Sequence, residues 1–224
     1  MSSAATPGGS DHFPGFDVVA RSGSWDPVTT GVVLARLGPL PPLRFFSPGE
    51  EAAARPLVDR LLAQDGEPKI PVFELIDARL AEGQTDGWRY DDLPEDGAAW
   101  KRSLHCLDVD AAAMGPTASF ASLDRASQIR VLEAVRTGDH WHQMPASRVW
   151  SLWMRYACTA FYSHPWAWNE IGFGGPAYPT GYKNLGVDGR EGWEVAERDA
   201  FDPEPWARRV ERARARHRGE PDRP

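Results

Sequence analysis

Residues 146–163 read ASRVWSLWMRYACTAFYS. Val149, Leu152, Trp153, Tyr156, Ala157 and Phe161 fall at helical spacing and cover most of the helix circumference. A helix that is apolar nearly all round has to be buried among others. This stretch therefore predicts a central helix, and an all-α fold around it.

Working outward toward the N-terminus, FASLDRASQIRVLEAVRTG (120–138) predicts another helix. Phe120 and Leu123 lead in, Ile129, Leu132 and Val135 form its stripe, and Gly138 closes it. A helix over about 98–114 precedes that. PVFELIDARLAEG (71–83) gives a helix with a stripe of Val72, Leu75, Ile76 and Leu80, ended by Gly83. The first of the five follows Ser47. Ser47 is the N-cap, Pro48 takes the first helical position, and Glu50 completes a capping box, with Phe46 placed as a staple. Its apolar residues are Leu57, Leu61 and Leu62, and Pro56 is expected to kink or interrupt it. Residues 84–100, QTDGWRYDDLPEDGAAW, form a turn-rich excursion whose acids Asp91, Asp92, Glu95 and Asp96 read as a solvated loop.

The expectation is one helical domain of about five helices with long irregular loops, spanning 45–200. Residues 1–44, rich in Gly, Pro and Ser, read as an extended N-terminal arm with a short strand at Val32–Ala35. The first dozen residues read as disordered. Residues 201–224 read as a basic C-terminal tail that begins as a helix and frays.

Composition narrows the function. The chain has 224 residues, 42 % of them hydrophobic, and ten tryptophans, enough for a sizeable core. A formal charge of −7 argues against nucleic acid and anionic membranes as partners. No run of about 18 apolar residues suggests membrane insertion. The first residues, MSSAATPGGSDHFPGF, lack a basic and an apolar signal region and a twin arginine, so the expected location is cytoplasmic.

The candidate chemistry is sparse. GFGGP (172–176) is not a dinucleotide fingerprint, and no strand leads into it. His140 and His142 make an H-x-H pair, with His105, His164, Asp139 and Glu170 as conceivable third ligands, but no recognised ligand spacing. Capping and packing at the turn between two helices is the preferred role. Cys106 and Cys158 form no CxxC motif; Cys158 lies mid-helix in apolar surroundings that raise a thiol's pKa and make it inert. No G-x-S-x-G elbow occurs. The expectation is no catalytic residue, no metal site and no cofactor bound by this chain.

What remains is FYSHPWAWNEIGFGGPAYPTGY (161–182), a run of rings, glycines and prolines. Trp and Tyr are enriched at desolvated interface centres. Two readings stay open from the residues: a loop sealing the protein's own core, or a surface shaped for a partner. The candidate interface residues are Tyr162, His164, Pro165, Trp166, Trp168, Asn169, Phe173, Tyr178 and Tyr182, with Asn169 placed to bond its own backbone.

Three stretches resemble the gluconate 2-dehydrogenase subunit 3 family, from about Phe45 to Gly186. They are FFSPGEEAAARPLVDRLLAQDGEPKIPVFELIDARL, which contains Leu75, Ile76 and Asp77, then FASLDRASQIRVLEAV, and then the aromatic loop. Where the family usually has tyrosine, two glycines and asparagine, this chain has Trp166-Ala167-Trp168-Asn169. Many members also carry a twin-arginine signal that is not seen here. The resemblance implies a helical accessory subunit without flavin. Its partner would be a large FAD-binding subunit of the glucose-methanol-choline oxidoreductase type, oxidising sugars, glycosides or polyols. The alternative is a stand-alone helical enzyme or ligand-binding protein using the His and aromatic residues of 139–170.

Overall fold

A computed structural model describes residues 12–115, 117–184, 189–196, 198, 210–212 and 214. The fold is all-α. The α-helices delimited among the described residues are α1 (Pro27–Ala35), α2 (Pro48–Leu61), α3 (Val72–Ala81), α4 (Asp96–Ala112), α5 (Arg125–Thr137), α6 (Ala146–Ser163) and α7 (Pro165–Glu170). Short 3-10 turns at Val18–Ser24 and Phe120–Ser122 precede α1 and α5. The only strands among the described residues are β1 (His140–Trp141) and β2 (Met144–Pro145), an antiparallel hairpin between α5 and α6.

The five expected helices correspond to α2 to α6. The Ser47–Glu50 capping box starts α2, with both reciprocal bonds formed. Pro56 lies inside α2 without interrupting it. Phe46 is buried, but Glu51 stands where a staple needs an apolar partner. Phe46 instead stacks on Phe73 at 5.4 Å and meets Trp100 edge-on at 6.1 Å. In α5 the buried face is Gln128, Val131, Leu132 and Val135, and the expected Ile129 is 41 % exposed. These four sit at i, i+3, i+4 and i+7, so they form the continuous face. Gln128 satisfies its buried amide by donating to the Phe120 carbonyl at 3.1 Å.

The chain divides into two compact units, 36–167 and a second in which the described residues up to Ala35 join those from Trp168 onward. This differs from the division at residues 44 and 200 read from composition. In the first unit, α6 packs against α2, α3, α4, α5 and both strands. Trp153 is fully buried and donates to Ser103 Oγ at 2.9 Å, which lets the core accept an indole N–H. Asp77, 1 % exposed, accepts from the backbone N–H groups of Arg44, Phe45 and Phe46 at 2.7 to 3.0 Å. A carboxylate can be buried there because its lone pairs are filled. It fixes the path that delivers the chain to the α2 cap.

In the second unit the expected extended arm is largely helical, and the expected strand at Val32–Ala35 is the end of α1. β-branched residues suggested a strand, but Asp26 begins a helix by accepting from Val28 N and Thr29 N. Phe16, Val18, Trp25, Val33 and Trp168 make this unit's own core. The expected disorder of the first dozen residues lies outside the described residues, apart from His12, and so does most of the 201–224 tail.

Candidate partner-binding surface

The aromatic loop is distributed between the two units. In the 36–167 unit, Tyr162 is half exposed at the end of α6. His164 and Pro165 are buried, and Trp166 is partly buried against the core, its ring edge-on to His164 at 5.0 Å. His164 Nδ1 accepts from Trp166 N at 3.2 Å, and the ring also hydrogen-bonds the Arg36 backbone. Burial holds the His164 imidazole neutral, lowering its pKa to about 4.

In the other unit, Trp168 is buried and Asn169 is inaccessible. The Asn169 side chain bonds a remote backbone group: its Oδ1 accepts from Val18 N at 2.8 Å, tying α7 to the 3-10 turn before α1. The glycines are contact points. A Cβ on Gly172 would lie 2.6 Å from the Phe13 ring, and one on Gly175 would lie 2.5 Å from the Trp25 ring. Both have positive φ, +64° and +81°, so a side chain there is strained as well as crowded. Arg21 stacks on Trp193 at 3.3 Å and donates to the Gly174 carbonyl at 3.2 Å. Tyr182 is half-buried, its ring 6.0 Å from Trp193.

Of the nine candidate interface residues, His164, Pro165, Trp168 and Asn169 are therefore buried within the chain. Tyr162, Phe173 and Tyr178 are exposed, Tyr178 at 70 %. Ile171 joins them. No spacing signal marks this residue. A second exposed apolar set lies on α1. That helix has no charged residue, and Val28, Val32 and Leu34 are open to solvent. The strand reading of 32–35 hid this face.

Of the other candidates, His142 and the two cysteines make definable contacts within the chain. His142 Nε2 pairs with Asp110 Oδ1 at 2.7 Å, and Trp141 Nε1 donates to Asp110 Oδ2 at 2.7 Å. The carboxylate therefore braces the β1–β2 hairpin, whose tip residues His142 and Gln143 have positive φ. Among the described residues no group of three His, Cys, Asp or Glu is placed to hold a metal ion. Burial raises the pKa of both Cys106 and Cys158, the direction of an unreactive thiol.

The acidic excursion is not wholly solvated. Asp96 is 5 % exposed and accepts from Tyr156 Oη at 2.8 Å and from Arg155 at 3.2 Å. Burial and this carboxylate push the Tyr156 phenol upward. Arg155 and Arg79 both bond Asp86. The stretch from Asp86 to Asp96 is thus clamped onto α3 and α6, although its composition reads as loop.

The family model for gluconate 2-dehydrogenase subunit 3 matches residues 48–175, from the start of α2 to the glycine run after α7. The chain belongs to the gluconate 2-dehydrogenase subunit 3 family. No match was found among curated proteins or among solved structures. The matched span takes in all of α2 to α7 and stops short of the exposed Tyr178. Among the described residues no helix of this family member is long and apolar enough to cross a membrane.

Proposed function

We propose that this chain is the non-catalytic small subunit of a heteromeric FAD-dependent oxidoreductase acting on a sugar, glycoside or polyol. The observation that carries the reading is the family match, which names a subunit and spans the helical core. The partner in this reading is a flavin-bearing large subunit of the glucose-methanol-choline type. FAD in that partner takes up the hydride from the sugar carbon. This chain's part is to hold and complete the large subunit through exposed apolar side chains. Phe173 and Tyr178 suit that role, because they are exposed aromatic side chains of the kind enriched at interface cores.

The test is co-expression of this chain with a large flavoprotein subunit of that type, followed by co-purification. The wild-type pair is expected to elute together and to be yellow. Tyr178→Asp combined with Phe173→Asp is expected to lose the partner while keeping the free chain's melting temperature. A wild-type chain that elutes alone, or oxidises sugars by itself, overturns the reading. Trp168 is a poor probe, because its burial makes truncation a folding defect.

A further inference from the structure

A groove of about 780 Å³ opens in the 36–167 unit beside the clamped excursion. Its size falls in the range of small-molecule sites, about 300–1,000 Å³. Trp88 stands at its edge, 50 % exposed. This indole is held in place from behind. Tyr90 meets it edge-on at 5.2 Å, Arg155 lies 5.1 Å from its ring, and Arg148 stacks on Tyr90 at 3.4 Å. Arg155 is in turn fixed by Asp86 and Asp96. Phe45 forms a wall over Gly97, where a Cβ would come within 2.9 Å of its ring.

The polar lining is mixed in sign. Arg89 and Glu95 both line the groove, and neither side chain has a hydrogen bond or ion pair among the described residues. Gln84, Thr85 and Lys101 add further donors and acceptors. An anionic ligand would meet Glu95, and a cationic one would meet Arg89 and Lys101. The lining suits a neutral ligand that both donates and accepts. A half-exposed, braced indole adds a demand for an apolar face that can lie flat on it. A pyranose ring meets both demands. One face presents C–H groups that suit the electron-rich indole, and its rim of hydroxyls can bond a guanidinium and a carboxylate together. The core of a protein interface is by contrast depleted of charge.

We propose that this groove binds a pyranose carbohydrate, with Trp88 as the stacking platform and Arg89 and Glu95 bonding the ring hydroxyls. The proposal does not depend on the identity of the partner subunit, so its test uses the full chain alone. Saturation-transfer NMR is recorded with glucose and maltose, and with sorbitol as an open-chain polyol that has no ring face. Transfer is expected to the ring protons of glucose and maltose and to be absent for sorbitol. Trp88→Ala and Glu95→Gln are each expected to weaken binding by about tenfold or more. Both should keep the wild-type melting temperature, and Glu95→Gln serves if Trp88→Ala does not fold. The proposal is overturned by an absence of transfer to either sugar at millimolar concentrations, by equal transfer to sorbitol, or by sugar binding that survives both substitutions. It is also overturned if Trp88→Ala leaves sugar binding intact but abolishes association with the large subunit, which would make the groove a protein interface.

Discussion

Segment 168–175 (WNEIGFGG) and segment 83–90 (GQTDGWRY) both set tryptophan among glycines. In the first, Trp168 is buried, and Gly172 and Gly175 are the places where the Phe13 and Trp25 rings press against bare backbone. In the second, Trp88 is half exposed, and Gly83 and Gly87 have open space around them, serving only to turn the chain at φ of +65° and +76°. The same two residue types thus do opposite jobs. What separates them is the arrival of a distant segment. Residues 13–25 return to cover the first, whereas the second is clamped from one side by Arg79, Arg148 and Arg155.

The sharpest way to break this comparison is to add a side chain to a glycine in each segment. Gly175→Val is expected to cost about 4 kcal/mol, from a strained positive φ combined with overlap on a buried ring. Gly87→Val should cost only about 1–2 kcal/mol, because backbone strain acts there alone. Urea unfolding of the two variants checks this, and equal losses would erase the distinction.

Acidification is the next lever. His164, just before the buried segment, has a folded pKa of about 4 against 6.5 for the free side chain. The unfolded chain takes up this proton first as the pH falls. The neutral imidazole's stabilisation is therefore whole above about pH 6.5 and is lost progressively down to about pH 4, by roughly 3 kcal/mol at most. His164→Gln should flatten the stability profile in that window. A profile unchanged by the substitution would remove His164 as the cause.

Asn169→Ala comes third. It leaves the buried Val18 N–H without its acceptor, for a loss of about 2 kcal/mol. Hydrogen exchange should show the amides of residues 18–24 losing protection while those of α6 keep theirs. Parallel loss in α6 would mean that the two units unfold together.

The smallest effect is expected at Trp88. Trp88→Ala should shift stability by less than about 1 kcal/mol, since it buries little and gives up only an edge contact and a cation–π pair. A larger loss would place Trp88 with the core tryptophans and undo its role as a presented ring.

Much of the fold was legible because its signals are local. The helices α2 to α6 announce themselves through caps and spacing: Ser47 with Glu50, the terminating Gly83 and Gly138, and the dense apolar face of 146–163. A helix's hydrogen bonds close within four residues, so spacing alone reports it. The candidate surface was only partly legible. Tyr162, Phe173 and Tyr178 stood among the nine candidates, but nothing local separates these exposed rings from the buried Trp168.

The sequence by itself determined an all-α chain with a central helix at 146–163, and its motifs pointed to the family. Tertiary structure decided the rest. It chose which rings are covered, turned residues 27–35 into a helix with an uncharged exposed face, and paired Asn169 with a backbone group 151 positions away. It also buried Asp77 and Asp96 by bringing donors to them. The physical reason is the same in each case. Helix formation is settled by neighbours along the chain, whereas the burial of a ring or a carboxylate depends on what a distant segment brings to it, and composition carries no record of that.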